Sequence, residues 1–201
     1  MVNLYESIDF NTKGENVKKT QIILAETKRN HVDYINSLKY RYNKKNPYLP
    51  HFVVNKEGEI FKIIKTDSYS EYMEDEDVDK RGIIIALENL GWFKKNPMDD
   101  TYINWIGDIY KQKVFNKKWR DHFFWDLYEE KQIKSLANLL IELCDEHNIP
   151  KVTMGHNVKQ DGVENFRGVV SKSNFDFYHK DVNPSFDFKL LKKLIQNDES
   201  I

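Results

Sequence analysis

Two runs of β-branched and aliphatic residues, "TQIILA" at 20–25 and "GIIIAL" at 82–87, constrain this chain more than any other feature. Neither alternates apolar with polar residues, so neither suits a strand with one wet face; both read as central strands covered on both sides. A sheet with such strands needs helices packed against each face. The surrounding sequence supplies them. "HVDYINSLKYRYN" (31–43) places Val32, Ile35, Leu38 and Tyr42 at helical spacing and stops before Pro47 and Pro50. Further on, Ile133, Leu136, Leu139, Leu140 and Leu143 form one apolar stripe, with Asp126 and Glu129 at capping-box spacing and an end near Asn148, before Pro150. A closing helix, "PSFDFKLLKKLIQ", is entered through Pro184.

Other segments fill in the sheet. "HFVVNKEGEIFKII" (51–64) reads as a hairpin about Glu57-Gly58, where glycine accepts the positive φ of a tight turn. "KVTMGH" (151–156) reads as a short late strand, followed by a long polar loop over 157–180. The acidic run "EYMEDEDVD" (71–79) reads as a solvated loop. The aromatic-rich stretch 92–128 is too long for a structureless loop and is expected to be an insertion with short strands of its own. The fold expected is α/β: a single domain over 1–201 with a mixed central sheet flanked by helices, an N-terminal arm at 1–20 and the insertion.

Charge excludes little beyond a global field. With 31 basic and 32 acidic residues the formal charge is −1, which indicates neither nucleic acid nor a membrane as partner. The lone Cys144 offers no disulfide framework and reads as core packing in a helix. No signal-type apolar segment opens the chain and no run of about 18 apolar residues occurs, so a soluble, cytoplasmic protein is expected, of phage type if made in a bacterial host.

Taken in order, "IILAET", "HFVVNKEGEIFKI", "GIIIALEN", a helix, "IPKVTMGH" and "DVNPSFDFKLL" resemble the zinc-dependent N-acetylmuramoyl-L-alanine amidases, a superfamily shared with peptidoglycan recognition proteins and phage endolysins. The resemblance implies a zinc held by three protein ligands with one open position, where the metal activates water and polarises the scissile amide. Gly155-His156 resembles the second-ligand motif, Asp181 the third ligand, and Glu88 the family's catalytic acid. Ala25 stands where the first histidine is expected, Pro50 at a tyrosine position, and His179 at the family's lysine. The resemblance therefore implies a degenerate zinc site, with no cofactor the first expectation and zinc the alternative.

Two repairs remain open at this level. Glu26 should face away from Ala25, because strand side chains alternate, unless a bulge re-aims it. His156, His179 and Asp181 could form a compensating set. His51 matches a histidine common in the family and reads as a cleft-wall or structural residue, while Arg167 and Lys172 in "FRGVVSKSN" offer donors to an anionic ligand. The expected ligand-binding set is His51, Glu88, His156, Arg167, Lys172 and His179. Three functions follow as expectations: a degenerate amidase-like domain binding a muropeptide or another small anion; an active zinc amidase of endolysin type with a shifted ligand set; or an interaction module that self-associates or meets a protein through 92–128.

Overall fold

The computed structural model describes residues 2–4, 13–14, 16–43 and 48–196. A six-stranded sheet forms the centre: β1 (Val2–Leu4), β2 (Gln21–Glu26), β3 (Phe52–Val54), β4 (Ile60–Lys62), β5 (Gly82–Leu87) and β11 (Gly168–Ser171), in the order β1-β4-β3-β5-β2-β11. The hairpin pair β3/β4 is antiparallel and the other neighbours are parallel, so the sheet is mixed, as expected. The two apolar runs lie side by side in register, from Gln21 opposite Gly82 to Glu26 opposite Leu87.

Alternation along those strands divides the core into two layers. Ile22, Leu24, Ile83, Ile85 and Leu87 face helix α3 (Glu130–His147) and helix α4 (Phe188–Gln196). Ile23, Ala25, Ile84 and Ala86 face the opposite way, where helix α1 (His31–Asn43) supplies Tyr34, Ile35 and Leu38 and helix α2 (Glu76–Arg81) supplies Val78. Burial of each large aliphatic side chain in these layers contributes roughly 1.5–3 kcal/mol.

The insertion forms its own five-stranded antiparallel sheet from β6 (Trp92–Lys95), β7 (Tyr102–Ile103), β8 (Ile109–Tyr110), β9 (Phe115–Trp119) and β10 (His122–Trp125), ordered β8-β7-β6-β10-β9. Aromatic pairs hold it, with Phe93 stacked on Tyr110 at 4.4 Å and Trp92 on His122 at 4.2 Å between ring centroids.

Several local expectations are corrected. "KVTMGH" forms only a single bridge, Thr153 to Val169; the late strand is β11, inside the stretch read as polar loop, and it takes the slot beside β2. The acidic run is not all solvated loop: Asp75 caps α2 by accepting from Asp77 and Val78 N–H, and Val78 and Asp79 are buried. No capping box opens α3, whose N-cap Glu129 makes no side-chain cap bond. Asp126 is instead a buried hub, bonded to Lys56 Nζ (2.7 Å), Leu90 N (2.8 Å) and Tyr110 Oη (3.1 Å). Asp187 rather than Pro184 opens α4, accepting from Lys189 and Leu190 N–H. The N-terminal arm contributes edge strand β1 and a bridge from Lys13 to Tyr69, while its residues 5–12 and 15 lie outside the described residues. Among the described residues no helix is long and apolar enough to cross a membrane.

Candidate functional site

The carboxyl end of β2 opens onto a cleft of about 400 Å³, at the strand ends where ligands bind in sheets of this kind. Its floor is built from the residues that follow β2. Glu26 leaves the strand in register with Leu87, so no bulge turns it onto Ala25's face. It points instead into the α3 layer and is nearly fully buried. There Oε1 accepts from Tyr128 Oη and from Asn183 N at 2.6 Å, and Oε2 accepts from Lys28 Nζ. Asp181 closes the group: Oδ2 accepts from Glu26 N and Oδ1 lies against Lys28 Nζ, each at 3.1 Å.

Burial pushes the Glu26 carboxyl above its ordinary pKa, opposed in part by Lys28. Burial also works against ionised Asp181, but Lys28 and Lys172 outweigh it and hold that carboxyl below its usual range. The Lys28 ammonium is raised, because the two carboxylates more than offset its own desolvation. Asp181 and Lys28 thus remain charged together at neutral pH.

The walls carry cations and rings in pairs. Arg29 lies 5.7 Å from the Trp105 ring, Arg41 5.6 Å from Tyr34, and Lys172 4.8 Å from Tyr72. Among the described residues none of these three cations forms an ion pair with a carboxylate within 4.0 Å. The Arg29 Nε is moreover buried without a hydrogen-bond partner. Tyr34 and Tyr72 are kept neutral by burial, which raises both phenols.

Of the residues singled out from sequence, Glu26, Lys172 and Asp181 line this cleft. Glu88 lies beyond the end of β5, with Oε2 2.8 Å from His31 Nδ1 and accepting from Lys56 N at 3.1 Å. His51 is buried just before β3, beside the interior strand β5: Nδ1 accepts from Ile84 N (2.9 Å), Nε2 donates to Ser68 O (3.0 Å), and burial pushes its pKa down to about 3. His156 contacts Asn174 Nδ2 and Val158 N through Nδ1, each at 3.3 Å. No hydrogen bond or ion pair joins it to Asp181 among the described residues. His179 is half-buried, and burial together with Lys172 lowers its pKa. Arg167 is exposed and donates to Asn148 O at the end of α3. Free Cys144 is buried, which raises its thiol to about 11.

The residues present do not fit a three-ligand zinc. Ala25 offers a methyl group packed with Ile23 and Ile84, both Asp181 oxygens already accept from nitrogen donors, and an ammonium lies between the two carboxylates. Among the described residues no three His, Cys, Asp or Glu side chains gather as a metal ion requires. Sequence reasoning passed over Lys28, Arg29, Arg41 and Tyr128, and looked to Trp105 only as part of a protein interface. One signal was available, the opposite charges of Glu26 and Lys28 two positions apart at the end of the first apolar run.

This architecture is that of the amidase fold. N-acetylmuramoyl-L-alanine amidase LysC from Clostridium intestinale matches with a TM-score of 0.61 at 14% identity, over 98% of this chain and 97% of that one. Staphylococcus aureus hydrolase AmiA, in complex with its ligand, matches at 0.58 and 11% identity over 97% and 81%. The E. coli amidase AmiD, in complex with anhydro-N-acetylmuramic acid-L-Ala-D-gamma-Glu-L-Lys, matches at 0.58 and 14% over 90% and 58%. No curated protein sequence matches. The sequence pattern of the N-acetylmuramoyl-L-alanine amidase family does match, over residues 15–165, and the chain belongs to that family.

Proposed function

We propose that this chain is a family member that has given up hydrolysis and uses its cleft to hold a small anionic ligand, a muropeptide or another molecule of that charge. The observation that carries the reading is the set Arg29, Arg41 and Lys172, each resting on an aromatic ring and none paired with a described carboxylate. Cations that make no direct ion pair in a concave site are donors waiting for an acceptor, and guanidinium groups match carboxylates with two parallel hydrogen bonds. The lining holds four basic residues, Lys28, Arg29, Arg41 and Lys172, against three acidic ones, Glu26, Glu74 and Asp181. Lys28 is already committed to two of those carboxylates, so the uncommitted charge is positive. The muropeptide carried by the E. coli relative makes that class of anion the first to try.

The test pairs binding with turnover. Purified muropeptide should bind measurably by calorimetry while intact cell wall releases no stem peptide. Substituting Arg29, Arg41 or Lys172 by alanine should each remove roughly 1.5–3 kcal/mol of binding, because a charge-assisted hydrogen bond is lost. Stem-peptide release that depends on added zinc and disappears in His156→Ala would overturn the reading in favour of an active amidase.

A further inference from the structure

We infer that the Lys28 ammonium is the resident cation of this site, pairing with both Glu26 and Asp181 in the place a bound metal ion would take, and that Trp105 of the inserted sheet and Gly91 at its entrance seat it. The inference is independent of which ligand the cleft takes, and muropeptide plays no part in its test. Lysine has three N–H donors. Here Nζ meets three oxygens: Glu26 Oε2, Asp181 Oδ1 at 3.1 Å and the Lys180 carbonyl at 3.3 Å. The remaining carboxylate oxygens are also satisfied, Glu26 Oε1 by Tyr128 and Asn183 N, and Asp181 Oδ2 by Glu26 N. A divalent ion entering this group would have to displace the ammonium and at least one of these donors. Removing the ammonium alone would leave two carboxylates buried together, a strongly unfavourable arrangement.

The seat comes from the insertion. Lys28 has φ +60°, a left-handed conformation that turns its side chain back over the end of β2. Its carbonyl accepts from Trp105 Nε1 at 2.8 Å, and the same indole underlies Arg29. Gly91, at the entrance to the inserted sheet, has φ +82° and lies directly beside the lysine stem. A Cβ there would stand 3.2 Å from Lys28 Cδ, 3.6 Å from Nζ and 3.8 Å from Glu26 Oε2. The carbonyl of Gly91 is fixed in turn by Asp126 N at 2.8 Å. Trp105 lies within the insertion and Gly91 immediately precedes it, a part of the chain for which the sequence alone suggested no role at this site.

The experiment uses the full chain and zinc alone as probe. Protein purified without chelator and dialysed against zinc should take up well under one equivalent at the cleft, and its melting temperature should not move. Lys28→Met should melt on the order of 5–10 °C lower. The double variant Lys28→Met/Glu26→Gln should recover part of that loss, because the uncompensated carboxylate is gone; a merely packing role for the lysine stem would give no recovery. Stoichiometric zinc in the unaltered protein overturns the inference, and needs no variant to be folded. A Lys28→Met protein as stable as the parent, or a double variant no better than the single one, overturns it as well.

Discussion

Asp79 sits under the wall of the cleft, and its ionisation should weaken the fold at neutral pH. The residue is 2% exposed; Oδ1 accepts from Met73 N at 2.8 Å, while Oδ2 has no hydrogen-bond partner among the described residues. Burial raises its pKa from 3.8 to about 6. With the folded value above the unfolded one, the folded state binds the proton more tightly. The group's stabilising contribution is therefore complete below pH 3.8 and is lost as pH rises through about 6. A shift of about two units at 1.36 kcal/mol each makes the deficit at pH 7 roughly 3 kcal/mol. Asp79→Asn removes that deficit and keeps a neutral acceptor for Met73 N, as the protonated carboxyl does. The variant should gain roughly 2–3 kcal/mol at pH 7.5 and little at pH 4. Urea unfolding of parent and variant across that range reads the difference directly, so other titrating groups cancel. A variant offset that is constant with pH, or a loss of stability at pH 7.5, would refute the reasoning.

Further outcomes follow from other buried contacts. His51→Ala should cost roughly 3 kcal/mol in urea unfolding, because Ile84 N and Ser68 O both lose their partner inside the core. Its folded pKa of about 3 lies below the unfolded 6.5, so its contribution is present above pH 6.5 and disappears as pH falls toward 3, which an acid titration of the unfolding free energy will show. Gly58→Ala should destabilise by about 2 kcal/mol, since φ is +83° and the new Cβ would stand 2.5 Å from Ser135 Oγ and 3.0 Å from the Lys131 carbonyl; thermal melting checks it. Tyr128→Phe should lower stability by about 1–2 kcal/mol in the same assay by removing a donor from buried Glu26.

The elements legible in sequence were those whose apolar pattern is long or whose turn chemistry is explicit. The runs at β2 and β5, the α3 stripe and the hairpin about Gly58 all met that condition. Strand β11 did not: four residues with only Val169 and Val170 to mark them cannot show a period, and their place beside β2 is decided by tertiary pairing. The capping-box reading at Asp126 failed because a carboxylate at the right spacing found stronger partners in Lys56, Leu90 and Tyr110.

The site was hidden for a different reason. A motif compared position by position registers only a loss at Ala25, whose methyl faces the α1–α2 side with Ile23. What the folded chain does at that strand end depends on Glu26, which faces the other side, and on Lys28, which returns to Glu26 only because a non-glycine residue adopts positive φ. No local sequence signal announces that conformation, and the residues that stabilise it, Gly91 and Trp105, lie more than sixty positions away. Charge balance within the buried group, rather than the identity of one ligand, is therefore the property to follow when asking what such a strand end can bind. By that measure Glu26, Lys28 and Asp181 satisfy one another, and the charge left facing the cleft is that of Arg29, Arg41 and Lys172.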